Sequence, residues 1–498
     1  MPKPDPSPKP SIFQISLVLC SVAAALTLIW PEPVTGFTRR VTGSIFDTAG
    51  GGFLISVSVF LVLCIWLALS RHGKKRLGPP DSTPDFSTVS WLSMLFSAGM
   101  GTGLVVWGVS EPMFHMLKPP SGTPGDAAAA EQAFLITNYH WGIHAWAIYG
   151  VGALALAYFS FVRGGAYLPS TPIRLGFRGK WTGPIGTTAD LLAIVAVTFG
   201  VAGSIAMGTL LVHSGLHYMW GVDMGSVGVD IAILLTLFVA YMSSAATGLD
   251  KGIRILSNIN MATAIVLVLV LLFLGPTANL LDGFVTAIAD YASSLAPLSV
   301  DLQPFDASEQ WVADWTLIYF IWWIAWTPFV GTFIARISRG RTIREFVVGV
   351  LICPTVFSIF WFAVLGGVAT DLQLSGAHDF TVALDEDVTG LVFHVVDQLP
   401  GGLFLGGVVT VLAFIFLVTS VDSATFVLGM LSSDGDLNPT PSRKLAWGVV
   451  LGIMGAGFTF LKDMDVIKMM TIAGAIPFLL VLILQLIAFL KALREDPS

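Results

Sequence analysis

The sequence predicts an all-α, polytopic membrane protein, and two features of its composition and patterning carry this prediction. Of its 498 residues, 55% are hydrophobic and only 11% are charged, whereas soluble globular domains carry about 25% charged residues. About twelve apolar runs are long enough to cross a bilayer as helices. The alternating segments of about ten residues that build a membrane β-barrel are absent, so we expect every span to be helical.

The predicted spans cover most of the chain. They lie near residues 12–30, 53–69, 91–114, 136–161, 187–214, 231–246, 255–274, 315–335, 346–368, 402–430, 445–461 and 469–490. The first run is interpreted as a retained helix rather than a signal peptide. It ends in WPEPV without a small-residue cleavage pattern, and further spans follow it.

Basic residues predict the orientation of the chain. With the N-terminus inside, the cytoplasmic segments of a twelve-span chain contain 20 of the 25 Lys and Arg residues. Basic residues concentrate in the cytoplasmic loops of membrane proteins, and an odd number of spans would scramble this asymmetry. We therefore expect both termini to be cytoplasmic, in a plasma membrane or in the inner membrane of a Gram-negative bacterium.

Several function classes are disfavoured by the composition and the motifs. The net charge of −7 predicts no nucleic-acid partner, because nucleic-acid-binding proteins present basic surfaces. The three cysteines, Cys20, Cys64 and Cys353, lie in apolar runs and form neither a metal-ligand spacing nor a disulfide framework. HExxH and G-x-S-x-G motifs, paired intramembrane aspartates and a filter-like loop are absent from the sequence. We predict neither an enzyme nor a channel, and no cofactor.

The third predicted span contains an unusual glycine pattern. It reads SAGMGTGLVVWGVSEP, with Gly99, Gly101 and Gly103 on alternate residues near mid-span. Glycines also permit close helix packing, but that motif spaces them four residues apart. Alternate glycines are poor helix formers, and unwound backbone at membrane depth is tolerated where it lines a cavity or a binding site. We favour an unwound segment over close packing.

Tryptophans cluster in the eighth predicted span, in the stretch FIWWIAWTPF. On a helix, Trp322 and Trp326 share a face and Trp323 lies about 100° away. Core packing fits this pattern, and so does an aromatic box for a quaternary ammonium, which ring faces hold by cation–π attraction. Trp311 and Trp315, nearer the outer end of the span, are assigned to an interfacial aromatic belt.

A second aromatic set lies in the fourth predicted span. The stretch HWGIHAWAIY contains Trp141, Trp146 and Tyr149, with Trp141 and Tyr149 eight residues apart on roughly one face. His140 and His144 have the i, i+4 spacing of zinc enzymes, but a metal site is disfavoured without the HExxH glutamate. This set supports the aromatic box.

The tenth predicted span is polar for a membrane helix. Its stretch FIFLVTSVDSATF contains five polar residues, Thr419, Ser420, Asp422, Ser423 and Thr425. This exceeds the usual bonding of hydroxyls back to helix carbonyls. Asp422 there and Glu111 in the third span are carboxylates within or near the membrane, and such groups are candidates for function. Proton carrier, cation ligand and helix-end cap all stay open as roles for these two.

Four motifs together resemble those of the betaine/choline/carnitine transporter family: AGMGTG, HWGIHAWAIY, WWIAWTPFVGTFIARISRGRTIREF and TSVDSAT. The resemblance covers all the predicted spans. It implies two inverted five-helix repeats of the LeuT type, formed by the third to seventh and the eighth to twelfth spans, after two extra helices. It divides the chain into an N-terminal part with two peripheral helices, a first repeat, an external connector, a second repeat and a short cytoplasmic tail, at residues 1–86, 87–275, 276–314, 315–490 and 491–498. Family members are commonly homotrimers, so a homotrimer is expected.

The resemblance also implies a role for each candidate residue. An onium zwitterion would be lined by aromatic residues, the glycine segment and one serine, namely Trp141, Tyr149, Trp322, Trp323, Trp326, Gly99, Met100, Gly101, Gly103 and Ser204. A coupling sodium ion would be bound by the hydroxyls of Thr419 and Ser420. Backbone carbonyls would complete that sodium site, from Ser97, Met100 and Phe416.

Three departures refine the expected substrate and coupling. Gly103 stands where choline-specific relatives look to carry aspartate, which favours glycine betaine or a similar zwitterion. Met261 stands where sodium-independent carnitine exchangers resemble one another in having arginine, which favours sodium coupling. Val197 and Val201 stand where two-sodium members look to have threonines. Valine cannot ligate sodium, which argues against a second sodium site.

The leading hypothesis is therefore a sodium-coupled symporter for a betaine-like zwitterion, working by alternating access in a lipid bilayer. The alternative is a proton-coupled or exchange carrier for choline, carnitine or dimethylsulfoniopropionate. The chain ends KALREDPS, whereas osmosensing relatives have a long charged extension. Weak or absent osmotic activation is expected.

Overall fold

The computed structural model describes residues 11–99, 101–247, 250–300 and 309–496. Within these ranges the chain is helical, and one isolated β-bridge joins Arg76 to Thr342. The α-helices are α1 (Ile12–Ile29), α2 (Pro31–Leu69), α3 (Thr88–Gly99), α4 (Thr102–Leu117), α5 (Ala127–Trp141), α6 (Ile143–Phe161), α7 (Thr171–Gly176), α8 (Thr182–Trp220), α9 (Val227–Thr247), α10 (Asp250–Leu274), α11 (Thr277–Val300), α12 (Glu309–Val312), α13 (Ile318–Ile337), α14 (Ile343–Leu374), α15 (Thr381–Glu386), α16 (Leu391–Asp397), α17 (Gly402–Leu431), α18 (Pro441–Thr459), α19 (Met464–Ala473) and α20 (Phe478–Glu495). A π-helical turn, Ala313–Leu317, joins α12 to α13.

The helices confirm an all-α polytopic membrane protein. Among the described residues, nine helices are long and apolar enough to cross a membrane, or ten if α19 and α20, bent by 44° at a short break, form one span. The pair α3–α4 and the helix α18 coincide with the remaining predicted runs. The number twelve stays a prediction.

Helix breaks occur in two of the predicted spans near the aromatic motifs. In the third, α3 ends at Gly99 and α4 begins at Thr102, with Gly101 in an extended conformation at φ −148° and ψ −164°. The interruption predicted at the glycine pattern is therefore present, although Met100 lies outside the described residues. In the fourth span, α5 ends at Trp141 and α6 begins at Ile143, and the sequence analysis missed this break.

The centre of the molecule is formed by α8, which packs against α13, α17, α18 and α19, and by α6, which packs against α13. Helix α6 is buried along almost its whole length. By contrast, α1, α9 and α10 expose large apolar side chains such as Val18, Val239 and Val266. Such residues are unremarkable beside lipid, because a bilayer core needs apolar surface rather than charge.

The turn between α13 and α14 shows why its sequence, RISRGRTIREF, folds locally as it does. Thr342 caps α14, because its hydroxyl accepts from the backbone N–H of Glu345 at 3.1 Å and the Glu345 carboxylate accepts from the backbone N–H of Thr342 at 2.8 Å. This is a capping box. Gly340 has φ +80°, a conformation that favours glycine. Arg341 lies 4.3 Å from the ring of Trp91 and so fixes the turn to α3.

The connector predicted at residues 276–314 contains a long helix that the sequence analysis did not identify. Helix α11 packs against α2, α5 and α14. Leu280, Ala287 and Tyr291 form its buried face, and the rest of the helix is more exposed. The connector is thus docked on the helix bundle rather than separate from it.

Candidate substrate-binding site

A cavity of about 1490 Å³ brings most of the candidate residues together. Its walls come from α3, α4, α6, α8, α9, α10, α13, α14 and α17, together with the end of α5 and the start of α18. Eleven of the predicted site residues line it, namely Gly101, Gly103, Trp141, Tyr149, Ser204, Trp322, Trp323, Trp326, Phe416, Thr419 and Ser420. Met100 lies outside the described residues. The side chain of Ser97 lies outside the described side chains, and Gly99 is the last residue of α3.

Three aromatic rings converge at one end of the cavity. The ring centroid of Trp323 lies 4.8 Å from that of Tyr149 and 5.8 Å from that of Trp141. Trp146 packs behind them, 5.6 Å from Trp323. The plane of Trp141 is tilted 80° to that of Trp323, so the rings present faces and edges in different directions. This arrangement suits a cation held by several ring faces.

The other two tryptophans of α13 line the cavity at separate points. Trp326 packs against Phe329, with ring centroids 5.5 Å apart, and lies over Gly200 of α8. A Cβ on Gly200 would be 3.3 Å from the Trp326 indole nitrogen. Trp322 lies 6.2 Å from the ring of Tyr319. The three tryptophans therefore form a wall along α13, of which Trp323 belongs to the ring cluster.

The glycine break lies between the ring cluster and α17. A Cβ on Gly103 would be 3.8 Å from the Trp141 indole, and one on Gly101 would be 3.7 Å from the Ser420 hydroxyl oxygen. Both distances are ordinary contacts, so these glycines bring backbone to within contact distance of a box residue and a hydroxyl of α17. Backbone in this position can offer carbonyls or N–H groups to a bound solute.

A buried carboxylate holds the ring cluster from behind. Glu111 of α4 is fully buried, and its Oε2 atom accepts hydrogen bonds from the indole of Trp141 at 2.7 Å and from the hydroxyl of Tyr319. Its Oε1 atom lies 2.7 Å from Nδ1 of His140, whose Nε2 atom lies 3.0 Å from the Thr316 hydroxyl. The sequence signalled Glu111 as an intramembrane carboxylate, but its partners come from the fourth and eighth predicted spans and could not be identified from its own span.

The opposite end of the cavity reaches the helix ends that carry basic loops. Its rim includes Phe86, Tyr167, Arg336, Asn438 and Lys444. Burial raises the pKa of Tyr167, in the loop after α6, to about 12, so its phenol stays neutral. The cavity therefore extends from the ring cluster to the loops at these helix ends.

Comparisons with known proteins identify the family. A model described as BCCT, betaine/carnitine/choline family transporter, matches residues 11–498. The chain belongs to this family. It is 38% identical over 488 residues to the glycine betaine transporter OpuD of Bacillus subtilis, which covers 98% of this chain and 94% of that protein. It is 37% identical to the ectoine/hydroxyectoine transporter of Virgibacillus pantothenticus, over 90% of this chain and 89% of that protein. It is 33% identical to an osmo-dependent choline transporter of Acinetobacter baylyi, over 97% of this chain and 71% of that protein.

In this betaine/carnitine/choline family transporter, the predicted sodium-binding oxygens of α17 are close together. The Thr419 hydroxyl donates hydrogen bonds to the carbonyl oxygens of Phe416 at 3.1 Å and of Ile415 at 3.0 Å on its own helix. Ser420 follows on the same helix and faces Gly101. Hydroxyl and carbonyl oxygens are suitable ligands for a hard cation, and carbonyls of interrupted helices supply them in transporters.

Two of the positions at which the sequence analysis noted departures from related transporters, Val197 and Val201, do not line the cavity, whereas Met261 does. Val197 and Val201 are buried in α8, and valine offers no oxygen. The adjacent Thr198 turns away from the cavity, because its hydroxyl donates to the Ile194 carbonyl at 2.7 Å and contacts Cys20 of α1. Met261 lines the cavity.

The belt assignment of Trp311 and Trp315 is wrong. Trp315 is buried, and its ring lies 4.5 Å from that of His115 and 4.4 Å from that of Phe114. The ring of Trp311 lies 5.3 Å from that of His115. The π-helical turn at Ala313–Leu317 changes the rotation of this segment. Both rings therefore pack inward around the carboxylate network instead of toward the membrane interface.

The histidines have structural partners different from those that their spacing suggested. His140 contacts Glu111 and Thr316, whereas His144 contacts Ser299 of α11 at 2.8 Å. Donor atoms of Glu111, His115 and His140 lie within 4.8 Å of one another, as a metal site would require. Hydrogen bonds already account for Glu111 and both His140 nitrogens. The His115 nitrogens are buried and lack a hydrogen-bond partner in the described part of the chain.

Proposed function

We propose that this transporter imports a quaternary-ammonium zwitterion, such as glycine betaine, by sodium symport with alternating access. One observation carries the proposal: Trp141, Tyr149 and Trp323 converge at the closed end of a cavity of about 1490 Å³. A quaternary ammonium has no N–H group to donate, so ring faces are its natural partners. Each ring contributes about 0.5–2 kcal/mol, depending on desolvation.

The surroundings of the rings favour a zwitterion over a simple cation. Gly103 contacts Trp141 without offering a carboxylate to the ammonium group. Glu111 uses its oxygens on Trp141, Tyr319 and His140 behind the rings. The interrupted backbone at Gly101 and the hydroxyl of Ser204 lie in the same cavity and suit the carboxylate end of a betaine. The proposed substrate is also the one that the name of the Bacillus subtilis relative gives, glycine betaine.

Sodium coupling is proposed from the oxygens on α17. Thr419, Ser420 and the carbonyl of Phe416 lie beside the glycine break, to which Ser97 and Met100 would add their carbonyls. One charge moving through 100 mV contributes about 2.3 kcal/mol. A tenfold sodium gradient adds about 1.4 kcal/mol. One sodium ion per zwitterion then supports accumulation of several hundredfold, by about 1.4 kcal/mol per factor of ten.

The proposal includes the architecture that goes with this mechanism. Twelve spans would form two inverted five-helix repeats after two extra helices, in a homotrimer with cytoplasmic termini in the plasma membrane. The two interrupted elements that begin these repeats, α3–α4 with its glycine break and α12–α13 with its π-turn, both contribute to the cavity and its closed end.

Transport by the purified protein in liposomes tests the proposal. Labelled glycine betaine uptake is measured with an inward sodium gradient and with an equal potassium gradient, for the wild type, Thr419→Val and Trp323→Leu. We expect uptake only with sodium, a large loss of sodium dependence in Thr419→Val, and raised KM in Trp323→Leu by roughly tenfold for the loss of one desolvated ring. Uptake indifferent to sodium would refute the symport.

The second candidate is a proton-coupled or exchange carrier for choline, carnitine or dimethylsulfoniopropionate. The specific observation that supports it is the buried Glu111, hydrogen-bonded to His140 and lying 3.7 Å from the Nε2 atom of His115. A carboxylate and two imidazoles beside the ring cluster form a group that can hold a proton. Uptake driven by a proton gradient without sodium, or by preloaded substrate alone, would favour this candidate over symport.

A further inference from the structure

The break in the fourth predicted span lies between two members of the ring cluster, Trp141 and Tyr149. Trp141 is the last residue of α5, and Trp146 and Tyr149 lie on α6. In an unbroken helix, residues eight apart differ by about 80° in direction, since each residue advances the helix by about 100°. The break at Gly142 therefore sets the orientation of Trp141 relative to Tyr149, and whatever holds the break open also shapes the cluster.

A tyrosine from the connector helix fills this break. Tyr291 of α11 is buried, and a Cβ on Gly142 would lie 2.4 Å from its hydroxyl oxygen and 2.6 Å from its ring. Glycine at residue 142 is what allows the phenol to approach so closely. The Tyr291 hydroxyl therefore lies beside the start of α6, which presents the backbone N–H groups of Ile143 and His144. These are the N–H groups that a helix start leaves without partners, and α6 has no side-chain cap from its own sequence.

The surrounding hydrogen bonds fix the direction of the Tyr291 hydroxyl. The Ser299 hydroxyl donates to the Leu295 carbonyl at 2.7 Å, so the Nε2 atom of His144, 2.8 Å from Ser299, acts as the donor to it. In neutral histidine the Nδ1 atom is then the acceptor. That atom lies 3.4 Å from the Tyr291 oxygen. Tyr291 can thus donate to His144, which leaves the lone pairs of its oxygen for the N–H groups at the start of α6.

The same helix also holds the other side of the break. The hydroxyl of Tyr139, near the end of α5, donates to the Leu298 carbonyl at 3.0 Å. Residues 291–299 therefore contact α5 before the break, Gly142 at the break and His144 after it.

We propose that Tyr291 is a positioning residue for onium binding: it caps α6 from outside the span and holds the α5–α6 break in the geometry that the ring cluster needs. It contributes nothing to the cavity wall itself, so its effect on binding acts through Trp141 and Tyr149. The transport consequence rests on the proposed function, whereas the cap itself does not.

The test compares Tyr291→Phe with Ser58→Ala. The first removes only the hydroxyl. The second removes a bond of 2.6 Å from Ser58 to the Ser299 carbonyl, which docks the same stretch of α11 onto α2 without touching the break. Hydrogen–deuterium exchange of the segment 138–149 needs no substrate. We expect faster exchange in Tyr291→Phe than in Ser58→Ala, and equal exchange in the two variants would overturn the cap.

Binding and transport supply the second readout. In Tyr291→Phe we expect the KM and Kd for glycine betaine to rise about fivefold for one lost hydrogen bond, with the maximal rate nearly unchanged. Ser58→Ala should leave both constants near wild type. An equal rise in both variants, or no rise in Tyr291→Phe, would overturn the positioning role. If the wild type fails to take up glycine betaine, the proposed substrate fails, and the exchange comparison still decides whether Tyr291 caps α6.

Discussion

The two sides of the ring cluster differ in how they are built. The sealed side, which comprises Glu111, His115, His140, Trp315 and Tyr319, is buried, and hydrogen bonds tie His140 and Tyr319 to the Glu111 carboxylate. The open side is the cavity, whose wall carries hydroxyls of α8 and α17 and the extended backbone at Gly101. Access from the sealed side requires bonds to break inside the protein, whereas access from the open side requires none.

This difference indicates which side of the ring cluster would cost more free energy to open under the proposed alternating access. On the sealed side, Glu111 joins α4 to the end of α5 and to α13, so any separation of these elements breaks charge-assisted hydrogen bonds. On the open side, glycines and hydroxyls can exchange partners with a solute or an ion. The ring cluster lies between the two and contacts both, because Trp141 bonds to Glu111 and faces Gly103.

The largest expected effect comes from removing the carboxylate of the sealed side. Glu111→Ala leaves the donors of Trp141, Tyr319 and His140 without their acceptor in a buried place, at about 1–3 kcal/mol for each unsatisfied group. We expect uptake to fall by more than about a hundredfold, measured as the initial rate in liposomes at matched protein content. Glu111→Gln keeps one acceptor oxygen and should retain more activity than Glu111→Ala. Similar rates in Glu111→Ala and the wild type would mean that the network does not shape the cluster.

A smaller and selective effect is expected from adding a carboxylate to the open side. A side chain at residue 103 would begin 3.8 Å from Trp141, which leaves room for it. Gly103→Asp should lower the affinity for glycine betaine, whose carboxylate it repels, and raise the affinity for choline, by about tenfold in their ratio. Gly103→Asn is the matched neutral control and should not favour choline. Competition assays with both solutes against labelled substrate measure the ratio, and an unchanged ratio in Gly103→Asp contradicts the prediction.

The positions of the helices followed from the sequence more fully than their interruptions did. Apolar length identifies spans because the bilayer imposes it, and each predicted run coincides with a helix or a broken helix pair. The glycine break was predicted from poor local helix formers at Gly99, Gly101 and Gly103. The break at Gly142 was missed because it depends on Tyr291, which belongs to a different part of the chain.

The site was predictable by residue type and not by partner. Trp141, Tyr149 and Trp323 were identified as candidates for an aromatic box, and they do line one cavity. The bond between Trp141 and Glu111 joins residues thirty positions apart on different helices, and periodicity within one helix carries no information about it. Trp315 was misassigned for a related reason, since a π-turn that local propensity does not reveal rotates it inward.

The smallest expected effect concerns Lys468 of α19, which packs against the sealed side. The ammonium of Lys468 on α19 is buried, lies 4.3 Å from the ring of Trp315 and 5.5 Å from that of Trp107, and pairs with Asp465 at 2.7 Å. Lys468→Met removes this cation–π contact, about 0.5–2 kcal/mol, and so eases opening of the sealed side. A membrane-impermeant thiol reagent should label a cysteine introduced by His115→Cys about 2–10 times faster in that background.

The contact with the rings, rather than the bulk of the side chain, is the expected cause. Lys468→Arg retains a cation that can stack on indole, so it should keep labelling slow. Asp465→Asn should have less effect than Lys468→Met, because Asp465 is largely exposed and its ion pair is screened by solvent. Slower labelling in Lys468→Met would contradict this prediction, because it would mean that Lys468 stabilises the opened state of the sealed side and not its closed state.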